Sequence, residues 1–123
     1  MPLGAAMAKT LQHQIIARAL ALISDDSRWT GGAMARDARR HLCSVYASDA
    51  VRFCALGALA RAAFELLGFS CDPDLIDKIE AAVLAANGLE QLSLASINDR
   101  AGREIIVAMF QKVVDGTASP CRC

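Results

Sequence analysis

One stretch of the sequence restricts the fold more than any other: Asp49-Ala-Val-Arg-Phe-Cys-Ala-Leu-Gly-Ala-Leu-Ala-Arg-Ala-Ala-Phe-Glu-Leu-Leu-Gly68. Between Val51 and Leu67 only Arg52, Arg61 and Glu65 are charged. A helix that is apolar around most of its circumference has to be covered on several sides. The stretch is therefore expected to be the core helix of the molecule, spanning about 49–67. Ser48 or Asp49 can cap its start by accepting from an unpaired backbone N–H, and Gly68 stands where a left-handed residue closes a helix. Turning about 100° per residue, Cys54, Gly57, Ala58, Arg61 and Glu65 fall on one narrow seam. Phe53, Leu56, Ala60, Phe64 and Leu67 form a heavier stripe beside it. The seam is a small-residue groove in which another backbone can come close.

The remaining sequence supplies the elements that cover this helix. Leu11, Ile15, Ala19 and Leu22 recur at helical spacing and predict a helix over about 8–24. Asp72-Pro73-Asp74 is a strong helix start, and Asn87-Gly88 a strong stop, so a second covering helix is expected over 73–87. Ile105, Met109 and Val113 line one face of a last helix over about 101–115, with Asp99 as a candidate cap. Residues 89–99 follow neither a helical nor an alternating pattern. Segment 25–48 holds Trp29-Thr-Gly-Gly and is irregular, long enough that a short helical turn is expected inside it. Trp29, the only tryptophan, either pins this segment to the helices or forms the wall of a ligand pocket. The expectation is an all-α fold: one compact bundle of about four main helices, a single domain over 1–123, with loose ends at about 1–7 and 117–123. A chain of 123 residues can bury a real core.

Charge and cysteine usage exclude several classes. Thirteen Lys and Arg balance thirteen Asp and Glu. Duplex binding is driven by phosphate neutralisation, so no nucleic-acid partner is expected. The cluster Arg36, Arg39, Arg40 has Asp37 inside it and reads as a solvated loop. No apolar run reaches the roughly 18 residues of a membrane span, and residues 1–9 show no basic n-region followed by a long apolar h-region, so a signal peptide is not expected. Five cysteines, an odd number, argue against a disulfide framework, and a cytoplasmic location is the default. His41, Cys43, Cys71, Cys121 and Cys123 lack the common zinc-ligand spacing, so no metal and no cofactor are expected. Gly31-Gly32 alone does not make a phosphate loop.

Trp29-Thr-Gly, Cys54-Ala-Leu-Gly-Ala-Leu with Arg61-Ala62, and Asn98-Asp99 before a last amphipathic helix together suggest a relationship. The chain resembles a family of short bacterial and phage proteins with no known activity. Its pattern is a Trp-Thr-x-Gly loop, a (Trp/Phe)-Cys-x-x-Gly-Ala-Leu helix and an Asn-Asp turn. The resemblance spans roughly residues 10–115. Phe53 stands where the family more often has tryptophan, and Arg39-Arg40-His41 where a glycine is common. The resemblance implies that Trp29, Cys54, Gly57 and Asn98-Asp99 belong to one arrangement.

Two functions of different class are compatible with these residues. One is a small non-enzymatic helical module that binds a protein partner or a small ligand, with Trp29, Arg61 and Asp99 as the binding candidates. In it Arg61, charged on a buried helix, needs a partner. Asp99 or the Asn98-Asp99 turn is expected to meet it, with Glu65 as the internal competitor. The other is a cysteine-dependent hydrolase or transferase with Cys54 as nucleophile, His41 as base and Asn98 or Asp99 as the orienting group, since a nearby histidine makes the reactive thiolate accessible. Burial among apolar neighbours and a position inside the helix both count against a reactive Cys54. The oligomeric state is not readable from the sequence.

Overall fold

The computed structural model describes residues 3–69 and 72–118. The described residues are mostly helical, with a short pair of strands. Helices α1 (Leu3–Leu22), α2 (Ala55–Leu67), α3 (Pro73–Ala86), α4 (Leu94–Ala101) and α5 (Arg103–Ala118) enclose the core. Strands β1 (Ala35–Arg36) and β2 (Arg52–Phe53) pair antiparallel, with Ala35 opposite Phe53 and Arg36 opposite Arg52. A single 3-10 turn, Asp26–Arg28, sits in the irregular segment where a helical turn was expected.

The central helix is the organiser, but it begins later than the sequence suggests. It starts at Ala55, and neither Ser48 nor Asp49 caps it. The backbone donors before it are already committed: Val51 N donates to Arg36 O at 3.0 Å and Cys54 N to Met34 O at 3.3 Å. Six residues expected to be helical thus become the return arm of a hairpin. Cys54 is the N-cap instead, extended at φ −81°, ψ −179°, its sulfur accepting from Gly57 N. At the other end Gly68 has φ 81° and donates to Phe64 O, the left-handed closure that glycine supplies without steric cost.

Alanine sets how α2 packs. Ala55, Ala58, Leu59, Ala62 and Ala63 are inaccessible to solvent, and short side chains let α1 lie close along α2. Ile15, Ile16 and Ala19 of α1 meet them, with Ile79 and Val83 of α3, Leu94 of α4, and Ile106 and Phe110 of α5 completing the same cluster. The groove seam also exists: a methyl group on Gly57 would overlap the Met34 carbonyl oxygen and lie 2.8 Å from its carbon.

Other boundaries differ as well. The ambiguous 89–99 segment contains α4, capped by Ser93, whose Oγ accepts from Ser96 N at 3.2 Å. Asn98 and Asp99 are therefore helical, not a turn before the last helix, and α5 starts at Arg103 after Gly102 breaks the chain at φ 89°. Helix α1 reaches back to Leu3 and α5 forward to Ala118, into ends expected to be loose. Residues 1–2, 70–71 and 119–123, including Cys71, Cys121 and Cys123, lie outside the described residues.

Candidate functional site

The site is built around one buried amide. Helix α4 turns Leu94, Ile97 and Asn98 inward, and Asn98 is fully buried. Its Oδ1 accepts from Trp29 Nε1 at 2.8 Å and from Ala55 N, the first residue of α2, at 3.0 Å. Its Nδ2 donates to Thr30 O at 3.1 Å and to Asp99 Oδ1 at 3.2 Å. All four bonds an asparagine amide can make are used. Asp99 Oδ1 also accepts from Gly32 N at 2.9 Å, and that bond, with the Asn98 amide, holds the Asp99 carboxyl below its ordinary pKa. One side-chain amide and its neighbour thus clamp the Trp29-Thr30-Gly31-Gly32 loop onto the start of α2 and the second half of α4.

The clamp carries outward through Thr30. Its N donates to Phe53 O at 3.1 Å, and its Oγ1 accepts from Arg36 Nε at 3.0 Å. Arg36 Nη1 donates in turn to Arg40 O at 3.0 Å. Arg40 sits in a tight loop made by Asp37, whose Oδ1 accepts from Arg39 N and His41 N, both at 2.9 Å. This loop forces Arg40 to φ 70°, a left-handed conformation that glycine adopts freely and arginine does not. The result is an open cleft of about 340 Å³ lined by Asp26, Trp29, Thr30, Gly31, Arg36, Arg40 and Arg52.

The expected site residues are distributed unevenly over this geometry. Trp29 lines the cleft; Arg61 and Asp99 do not. Arg61 does not pair with Asp99. Its Nε donates to Glu65 Oε2 at 2.9 Å, its Nη1 to Val45 O and Ala47 O at 2.9 and 2.7 Å, and its guanidinium lies 5.8 Å from the ring centres of both Phe53 and Phe64. The i,i+4 neighbour and two loop carbonyls satisfy it, so the internal competitor wins. Arg61 staples the hairpin loop to α2. Glu65 also accepts from Arg18 Nε at 2.8 Å, tying α1 to α2.

Cys54, His41 and Asn98 do not form a hydrogen-bonded relay. Cys54 is 6% exposed, and its sulfur accepts from Gly57 N at 3.3 Å. Burial pushes its thiol pKa up, against a smaller lowering by the Gly57 and Leu56 backbone N–H groups. His41 is exposed, its Nδ1 3.6 Å from Asp37 Oδ2. Asn98 and Asp99 are committed to the clamp. Yet Cys54 does stand at the start of α2 rather than inside it. Among the described residues no group of three or more His, Cys, Asp or Glu is arranged to hold a metal ion, and no helix is long and apolar enough to cross a membrane.

Arg36, Arg40, Arg52 and Thr30 were not singled out as site residues from sequence. The basic cluster was the available signal for two of them; its reading as a solvated loop fails for Arg36, which is half-buried and doubly bonded. Arg52 comes from a separate segment, and only the strand pairing brings it opposite Arg36. No curated protein and no solved structure matches the chain. A family model described as a family of unknown function (DUF6197) matches residues 7–115, and the chain belongs to that family.

Proposed function

We propose that this chain is a small, non-enzymatic helical module that binds a small molecule in the cleft beside Trp29. The observation that carries the reading is the construction of that cleft. Its volume, about 340 Å³, lies within the roughly 300–1,000 Å³ of small-molecule sites, which are usually preformed with a few placed polar groups. Its aromatic wall is fixed by a bond to a fully buried amide, so little ordering remains to oppose binding. Trp29 is the only tryptophan, and its emission reports on this site alone. The test is a thermal-shift screen of a small-molecule library, followed by Trp29 fluorescence and backbone amide shifts with each stabilising compound. Hits that perturb Trp29 and residues 30–36 are expected. Hits that leave these signals unchanged, or a library with none, would overturn the small-ligand reading and leave a protein partner as the occupant to seek.

A cysteine-dependent hydrolase or transferase is the second reading, and one observation favours it. Cys54 is the N-cap of α2, and a helix start lowers thiol pKa values; burial works in the opposite direction here. Alkylation of the folded protein as a function of pH separates the two. An apparent pKa well below the ordinary ~8.5 supports the enzyme. No reaction until unfolding supports the binding module.

A further inference from the structure

We infer that the ligand of the Trp29 cleft carries a phosphate group, held by Arg36, Arg40 and Arg52; this rests on the small-ligand reading above. The chain is neutral, with thirteen basic and thirteen acidic residues, yet three arginines line one cleft. Among the described residues none of the three forms an ion pair. Arg36 and Arg52 stand directly opposite each other in the β1–β2 ladder, and like charges so placed destabilise a sheet. Arg52 Nε is buried and has no hydrogen-bond acceptor, so one donor of this side chain is left unused by the protein. Arg36 is the reverse: its bonds to Thr30 Oγ1 and Arg40 O fix the plane of its guanidinium. A fixed guanidinium is suited to bidentate recognition of a planar or tetrahedral oxyanion.

Charge selects phosphate over carboxylate. The acidic lining residue, Asp26, is 87% exposed and lies 3.5 Å from Arg103 Nε. Three arginines and one aspartate, itself beside Arg103, line the cleft, so the lining is net positive. A phosphate monoester brings about −1.5 to −2 at pH 7, more charge than a carboxylate, and offsets more of it. The cleft is also larger than a bare phosphate requires, and Trp29 forms its apolar side, so the rest of the ligand is a ring or a flat apolar group.

The probes are phenyl phosphate, inorganic phosphate, benzoate and phenol, titrated at low ionic strength by Trp29 fluorescence and calorimetry. Phenyl phosphate is expected to bind most tightly, inorganic phosphate more weakly, and benzoate and phenol least. Arg40→Gly is the decisive variant, because glycine suits φ 70° and the fold is kept. It should weaken phenyl phosphate about tenfold or more, the loss of one charge-assisted contact, while the unligated protein melts no lower. Arg52→Gln should weaken it similarly. Arg39→Gln, outside the cleft, should leave it unchanged. Benzoate or phenol binding as tightly as phenyl phosphate, equal losses in Arg39→Gln and Arg40→Gly, or no phosphate binding at millimolar concentration each overturn the inference. Tight phenol binding that survives Arg40→Gly overturns it alone and leaves the small-ligand reading standing; a library screen without hits removes both.

Discussion

At the scale of single residues, two positions carry more of the structure than their size suggests. Gly57 is one. Any side chain there meets the Met34 backbone, and neither the hairpin nor α2 can yield without breaking the Cys54 N to Met34 O bond. Gly57→Ala is expected to destabilise by about 3 kcal/mol, at the upper end for overpacking, with urea denaturation as the measurement. Asn98 is the other. Asn98→Ala would strand the Trp29 indole N–H, the Ala55 N–H and the Thr30 carbonyl around a position that is itself fully buried. Buried unsatisfied groups cost about 1–3 kcal/mol each, so a loss of about 3 kcal/mol or more is expected, with a shift of Trp29 emission toward that of exposed indole. An unchanged spectrum would show that Trp29 is held by other contacts. These two residues were unequally legible. Gly57 follows from helical periodicity, because a small-residue seam is a local property. Asn98 bonds Trp29 and the Ala55 N–H, and its role as a saturated amide depends on where three distant segments meet.

At the scale of elements, the sequence was misleading where strand pairing overrode helical pattern. Asp49–Cys54 looks like a helix start because apolar residues continue through it. It is not helical because Arg36 O and Met34 O take the Val51 and Cys54 backbone donors on either side of strand β2. A two-residue ladder leaves almost no alternating signal. Helix α4 is hard to read for a related reason: it has only eight residues, and of the leucines at its approach Leu94 is buried while Leu92, just before it, is exposed. Stops and starts fixed by local chemistry, Gly68 and Asp72-Pro73, stand where expected. The shifted start of α2 gives Cys54 a role that can be measured. Its sulfur is a weak acceptor for Gly57 N, and a serine hydroxyl is a strong one. Cys54→Ser should therefore stay close to the parent in stability, whereas Cys54→Ala should lose about 1 kcal/mol, the usual worth of an N-cap. Equal denaturation midpoints for the two variants would show that the thiol is only packing.

At the scale of the whole molecule, formal neutrality hides a segregated charge distribution. The cleft is lined by three arginines that form no ion pair among the described residues, while acidic groups with donors hold other parts together. Glu65 is the clearest of these, bonded at once to Arg18 of α1 and Arg61 of α2. Partial burial raises its pKa, but the Arg61 and Arg18 hydrogen bonds outweigh this, and the net shift is downward. Asp99 is lowered by Gly32 N and the Asn98 amide. A carboxyl whose pKa is lower folded than unfolded binds fewer protons in the native state. Its stabilisation is then complete above the ordinary carboxylate range of about 4 and is lost as pH falls through the lower, folded value. The protein should accordingly hold its stability from neutrality down to about pH 5 and lose it progressively below that. Glu65→Gln keeps the size and the acceptor oxygen but cannot titrate. It should start from lower stability at pH 7 and show a shallower acid limb in denaturation midpoint against pH. A parallel limb, displaced but equally steep, would mean that Glu65 titrates alike in both states and that α1 and α2 are joined by apolar packing alone.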